Sequence, residues 1–319
     1  MANLPVTLAI RDYDFVAPLA MGDVKAEGID LTLIRAFDAL ARVTGDQAVH
    51  GGEASFSRSV QRFAAGDRSL VALPAFVMRA FRHRCFFVRR GSGLTDVSHL
   101  AGKRVGTDAW PASGNTWSRA ILRGRGLDIW SIRWVVGSVS PGDPPPAPDV
   151  LPPGVELAPA GRSLREMLLA GELDALMCPW PPAGFYEKDG QITRLYEDYR
   201  SAEHEYYRRT KIYPGHHIVV LKRDLLDRHP WTIRSIYAAL RQAREQVDST
   251  RWKNPDSSPW LLAELEEQAA LLGSDYQPYG YRENHRMVAA FCEEQLAQGL
   301  IPKPIDPDIF FGEFEKFMR

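Results

Sequence analysis

Strand-like runs alternate with helix-like periodicity as far as about residue 221, and only helix-like periodicity follows. That order restricts the chain to α/β units with parallel or mixed sheets, because a helix between two strands must bury its apolar stripe on a sheet face. Residues 6–10 and 28–34 read as strands with a short helix, 14–24, between them. Phe56, Val60, Phe63 and Ala64 mark a helix over 55–65, and 70–74 and 86–88 read as further strands. A new unit starts near 92, with strands at 103–106, 132–136 and 173–177 and helices at 116–123 and 164–170. Residues 141–153 hold seven prolines, which excludes a regular element and predicts a surface loop. The chain returns through a strand ending at 221, after which Ile233, Ile236, Tyr237 and Leu240 open a helical tail.

This insertion and return predict two lobes, residues 1–86 plus 219–319 with the tail, and residues 87–218. Crossover strands near 84–88 and 216–221 would join them, and a cleft between such lobes is where a small molecule would bind. Charge excludes other classes. Thirty-nine Lys+Arg against 40 Asp+Glu lack the basic excess of a nucleic-acid binder. No apolar run approaches the ~18 residues that cross a bilayer. The start, MANLPVTLAIRDYD, has no basic stretch before its short apolar run, so it reads as a first strand and predicts a cytoplasmic protein. Cys85, Cys178 and Cys292 are odd in number and far apart, as expected of buried thiols.

Several polar groups could carry chemistry. Arg79, Arg82, His83 and Arg84 crowd six residues. On an extended backbone Arg82 and Arg84 would share a face with His83 opposite, and guanidinium forks suit an anionic ligand. Arg11 and Asp12 follow the first strand, where ligands of α/β sheets meet carboxyl ends. Arg11 could anchor a carboxylate, and Asp12 could orient it, accept a proton or cap a turn, while Tyr13 reads as packing. Glu53 with Ser55, and Ser113 with Thr116, precede helices, either as caps or as ligand contacts at a helix N-terminus. His216 and His217 are neighbours on a strand, so at most one faces a cleft, and nothing near them has metal-ligand spacing. No nucleotide-loop or nucleophile-elbow motif occurs, so no cofactor and no metal are expected.

LAGKRVG at 100–106 and LREMLLAGELDAL at 164–176 resemble the type 2 periplasmic-binding-protein-like fold, a two-lobed α/β fold with mixed sheets flanked by helices and two crossover strands. AIRDYD at 9–14, EGIDL at 27–31, RAFRH at 79–83 and YYRRTKIYP at 206–214 with His217 resemble the 4,5-dihydroxyphthalate decarboxylase family. The resemblance implies non-oxidative decarboxylation of a hydroxylated aromatic acid. Arg11 and Arg82, with Arg79, would anchor the carboxylate that stays, His83 or His217 would protonate the ring carbon, and Asp12 or the second histidine would take the phenolic proton. Glu53, Ser55, Ser113 and Thr116 would be further substrate contacts. The partners implied are a small anionic aromatic substrate and at most further copies of the chain, with neither nucleic acid nor membrane. A non-catalytic carboxylate-binding protein, or a different lyase or dehydratase on this fold, would use the same anchors.

Overall fold

Eleven strands arrange into two mixed sheets in a computed structural model, which describes residues 2–147, 149–253 and 258–319. They are β1 (Leu4–Ile10), β2 (Ile29–Arg35), β3 (Gly51–Ser55), β4 (Leu70–Arg79), β5 (Phe86–Arg89), β6 (Arg104–Thr107), β7 (Arg133–Val136), β8 (Glu156–Leu157), β9 (Ala175–Met177), β10 (Ile192–Arg194) and β11 (Gly215–Lys222). Contacts divide the chain into one unit of Met1–Arg79, Gly215–Cys292 and Lys303–Arg319, and another of Ala80–Pro214 and Glu293–Pro302.

The first unit holds a five-stranded sheet in the order β2-β1-β3-β11-β4. β1 runs parallel to β2 and β3, and the returning β11 lies antiparallel to β3 and β4. Val6, Leu8 and Ile10 alternate into a core shared with Ile233, Ile236 and Leu240 of the helix Thr232–Arg251. Each such buried side chain contributes about 1.5–3 kcal/mol. Gly52 lets the inner strands meet. Its φ is +141°, and a Cβ there would fall 1.9 Å from the Ala9 carbonyl oxygen.

The second unit holds a six-stranded sheet in the order β10-β5-β9-β6-β7-β8. β6 runs parallel to β7 and β9, whereas β5 is antiparallel to β9 and β10. Phe87, Val135 and Leu176 pack there with Leu164, Met167 and Leu168 of the helix Leu164–Leu169. Ser163 and Glu166 close a capping box at its start.

Several sequence expectations change. The strand expected to stop at Pro74 runs on to Arg79. β4 is an edge strand with a register shift against β11 around the proline, and such a place tolerates a missing N–H. Residues 82–84 are not extended, because Arg82 leads into a 3-10 turn, His83–Cys85, so the expected alternation of Arg82, His83 and Arg84 does not apply. The chain changes unit at Arg79/Ala80 and Pro214/Gly215 instead of within the strands near 84–88 and 216–221. Glu293–Pro302 groups with the second unit, not with the rest of the tail, because Gln295 and Gln298 hydrogen-bond to Thr116 and Gln298 also to Arg119. β8 and β10, each of two or three residues, were too short to show a pattern. Pro148 of the proline-rich loop lies outside the described residues.

Candidate active site

In the first unit the strand register joins two candidates that lie 164 residues apart. β3 and β11 pair with Glu53 opposite Val219 and Ser55 opposite His217. Glu53 and His217 are therefore diagonal neighbours on one face, within reach for long side chains. His217 Nδ1 lies 2.5 Å from Glu53 Oε1. The Glu53 side chain is fully buried and the imidazole is 13% exposed. Because β1 ends beside β3, the backbone N–H of Arg11 donates to Glu53 Oε2 at 2.9 Å, and the Tyr13 hydroxyl donates to Oε1 at 2.8 Å. Burial works to raise the Glu53 pKa, yet the His217 hydrogen bond and charge, with the Arg11 N–H and the Tyr13 hydroxyl, hold it below the ordinary carboxylate value. Burial and then the Glu53 charge push the Tyr13 phenol well above its ordinary value, so it stays a donor.

The Arg11 guanidinium stands beside this network. Its Nε is 3.9 Å from Glu53 Oε1 and donates to the Phe37 carbonyl at 3.2 Å. The Phe37 ring lies against the guanidinium, 4.7 Å from Cζ to the centroid. Asp12 points elsewhere and pairs with Arg35 at 3.0 Å on the surface. Ser55 caps the helix Phe56–Ala64, accepting from the Arg58 N–H. Arg79 donates to Asn284 and to the Pro278 carbonyl and sits 4.9 Å over the Phe76 ring. A 480 Å³ pocket elsewhere in this unit includes Arg241, Arg244, Asp248 and Tyr279. Its Arg244 is already committed to Asp248 and Asp275.

The remaining candidates belong to the second unit. Arg82 is buried, and Gly114, in the first turn of the helix Ser113–Gly124, packs directly on it. A Cβ at Gly114 would lie 2.7 Å from the guanidinium carbon. Ala112, not Ser113, occupies the cap position, and the helix begins three residues earlier than its periodicity indicated. Thr116 bonds inward, to the Ala112 carbonyl, Gln295 and Gln298. Asn115 donates to Asp108 at 2.8 Å, and burial raises that carboxyl despite Asn115, Arg82 and Arg119. His83 is buried with Tyr196 and Tyr206 edge-on to it, and its Nδ1 has no hydrogen-bond partner. Burial, then the Arg125 and Arg209 charges, push its pKa down to about 4, so the ring is neutral near pH 7. Among the described residues no group of three His, Cys, Asp or Glu is placed to hold a metal ion. No described helix is long and apolar enough to cross a membrane.

Sequence reasoning passed over two residues here. Tyr13 read as packing, and its ring does stack on Phe15, with centroids 5.2 Å apart, but its hydroxyl completes the Glu53 network. Phe37 drew no notice, because a lone aromatic in a loop carries no pattern. Its place two residues beyond β2 was the available signal.

Two mixed α/β sheets, one in each unit and each packed against helices, define the class of fold. The alkanesulfonate-binding protein SsuA from Xanthomonas axonopodis pv. citri, solved with MOPS bound, superposes with a TM-score of 0.52 at 16% identity, covering 95% of this chain and 96% of that one. The periplasmic aliphatic sulphonate-binding protein SsuA from Escherichia coli gives 0.54 at 15% identity, covering 97% and 100%. The fold is thus of the periplasmic-binding-protein-like class.

No protein-family model matches the chain. A protein named 4,5-dihydroxyphthalate decarboxylase from Comamonas testosteroni is 31% identical over 330 aligned positions, covering 98% of this chain and 97% of that protein. One of the same name from Pseudomonas putida is 31% identical over 222, covering 65% and 83%. The chain belongs to the 4,5-dihydroxyphthalate decarboxylase family.

Proposed function

We propose that the protein is a cytoplasmic carboxy-lyase that removes one carboxylate from a hydroxylated aromatic acid, 4,5-dihydroxyphthalate or a relative. The observation that carries the reading is the buried Glu53 bonded to the His217 imidazole beside the Arg11 guanidinium. Three buried cysteines without a disulfide fit a reducing compartment.

The difficult step is charge left on a ring carbon as CO2 departs. Protonation of that carbon first, with loss of the phenolic proton, gives a ketone-like intermediate. Its C–C bond to the carboxylate then breaks, the bonding pair restores the aromatic ring as a phenolate, and that oxygen regains the proton it lost. The net change is one proton taken up and one CO2 released. With Glu53 ionised, the short contact to Nδ1 holds a proton on that nitrogen, which leaves proton exchange with the substrate to Nε2. Glu53 stabilises the imidazolium before transfer, and Arg11 holds the remaining carboxylate as a charge-assisted fork. We assign the transfer to His217 and not to His83, whose neutral ring has no acidic proton to give near pH 7.

The test is CO2 release from 4,5-dihydroxyphthalate and related hydroxylated aromatic acids by the purified protein. Tight binding with no turnover of any of them removes the enzyme reading and leaves a binding protein. Tyr13→Phe supplies a second check. It deletes one hydrogen bond that favours ionised Glu53, so the Glu53 pKa rises and the acidic limb of the kcat/KM profile moves to higher pH, with kcat about tenfold lower or less. An unmoved limb would show that the hydroxyl does not tune the carboxylate.

A further inference from the structure

Phe37 is 81% exposed, yet it is held in place. It follows β2 as Arg11 follows β1, and Ile10 and Arg35 are register partners, so the two loops leave the sheet side by side at its carboxyl end. Its carbonyl accepts from Arg11 Nε, and the guanidinium lies on the ring. Scattered surface aromatics are ordinary in soluble proteins. Here an aromatic ring stands against an arginine whose Nε also lies 3.9 Å from the Glu53 carboxylate that bonds His217. A carboxylate on Arg11 therefore brings whatever it is attached to alongside Phe37. Aromatic pairs favour offset or edge-to-face contact at 4.5–7 Å between centroids, a distance the attached ring of an aromatic acid can meet.

We infer that Phe37 is the specificity-determining residue of this site, contacting the ring of a planar aromatic acid whose carboxylate is held by Arg11. The inference rests on the reading of the ligand as an aromatic acid and extends it to the group that selects the ring. Arg11 alone would accept any small carboxylate. Phe37 would favour those carrying a flat apolar body.

The experiment compares phthalate with maleate, which presents two cis carboxylates without the ring. Calorimetric titration of the full chain is expected to show phthalate bound about tenfold more tightly than maleate, a difference of about 1.4 kcal/mol. Phe37→Ala is expected to abolish that preference while leaving maleate affinity unchanged, and Phe37→Trp to retain it. Equal affinities in the unaltered protein, no binding of phthalate, or a preference that survives Phe37→Ala would overturn the inference. So would parallel loss of both ligands in Phe37→Ala, which would show that the ring acts only by steadying Arg11. Turnover is not part of this readout. A protein that prefers phthalate but releases no CO2 would sink the carboxy-lyase reading and leave the ring contact standing.

Discussion

Replacing His217 by glutamine is expected to lower kcat for decarboxylation by about 10²–10⁴-fold while KM changes by no more than about threefold. Glutamine keeps a polar group near Glu53 but cannot carry and release a proton near neutral pH, so the loss should fall on the transition state and not on binding. Glu53→Gln should produce a smaller fall in the same parameter, because the imidazolium loses its counter-charge but keeps a hydrogen-bonding neighbour. Steady-state kinetics and equilibrium binding of a non-reacting acid, on the same preparations, separate the two effects. A His217→Gln enzyme within tenfold of the parent would refute the assignment. The pH dependence has a defined sign. The folded-state pKa of Glu53 is depressed, so its contribution to stability is present above the ordinary carboxylate value and is lost as pH falls through the depressed one. The His217 contact should weaken over the same interval, and activity should fall on the acid side before the fold does.

Arg119→Ala is expected to cost about 3–5 kcal/mol of stability in the second unit. The side chain is fully buried, lies 3.9 Å over the Trp110 ring, donates to Gln298 at 2.7 Å and donates to the Trp110 carbonyl at 2.6 Å. Truncation strands both acceptors, at about 1–3 kcal/mol each, and opens a cavity where the stem packed. Burial pulls the guanidinium down to about 9, against the charges of Glu294 and Asp108, so it remains protonated near pH 7. Arg119→Met should lose the hydrogen bonds but keep most of the volume, and it should fall between the parent and the alanine variant. Urea denaturation followed by tryptophan fluorescence suits the measurement, since Trp110 packs within 6 Å of Trp130 and Trp134. An alanine variant within about 1 kcal/mol of the parent would contradict the role given to Arg119.

Much of this was legible in residue order. The periodicities located the long elements, and the short motifs named the family that the Comamonas testosteroni protein supports. What stayed hidden has particular causes. Pro74 looked like a strand end because a proline cannot serve an inner strand, and only its place on an edge, at a register shift, reconciles it with β4. His83 looked like an acid because imidazole titrates near neutrality, whereas its surroundings of Tyr196, Tyr206 and two arginine charges hold it neutral. Glu53 was a cap-adjacent residue until β11 was laid against β3.

Residue order alone determined that the chain forms α/β units and supplies arginines and histidines near strand ends, because periodicity and turn residues act over a few positions. Tertiary structure alone decided which of those groups meet. The Glu53–His217 contact depends on the register of two strands far apart in sequence, and the protonation state of each group depends on neighbours that only packing brings close.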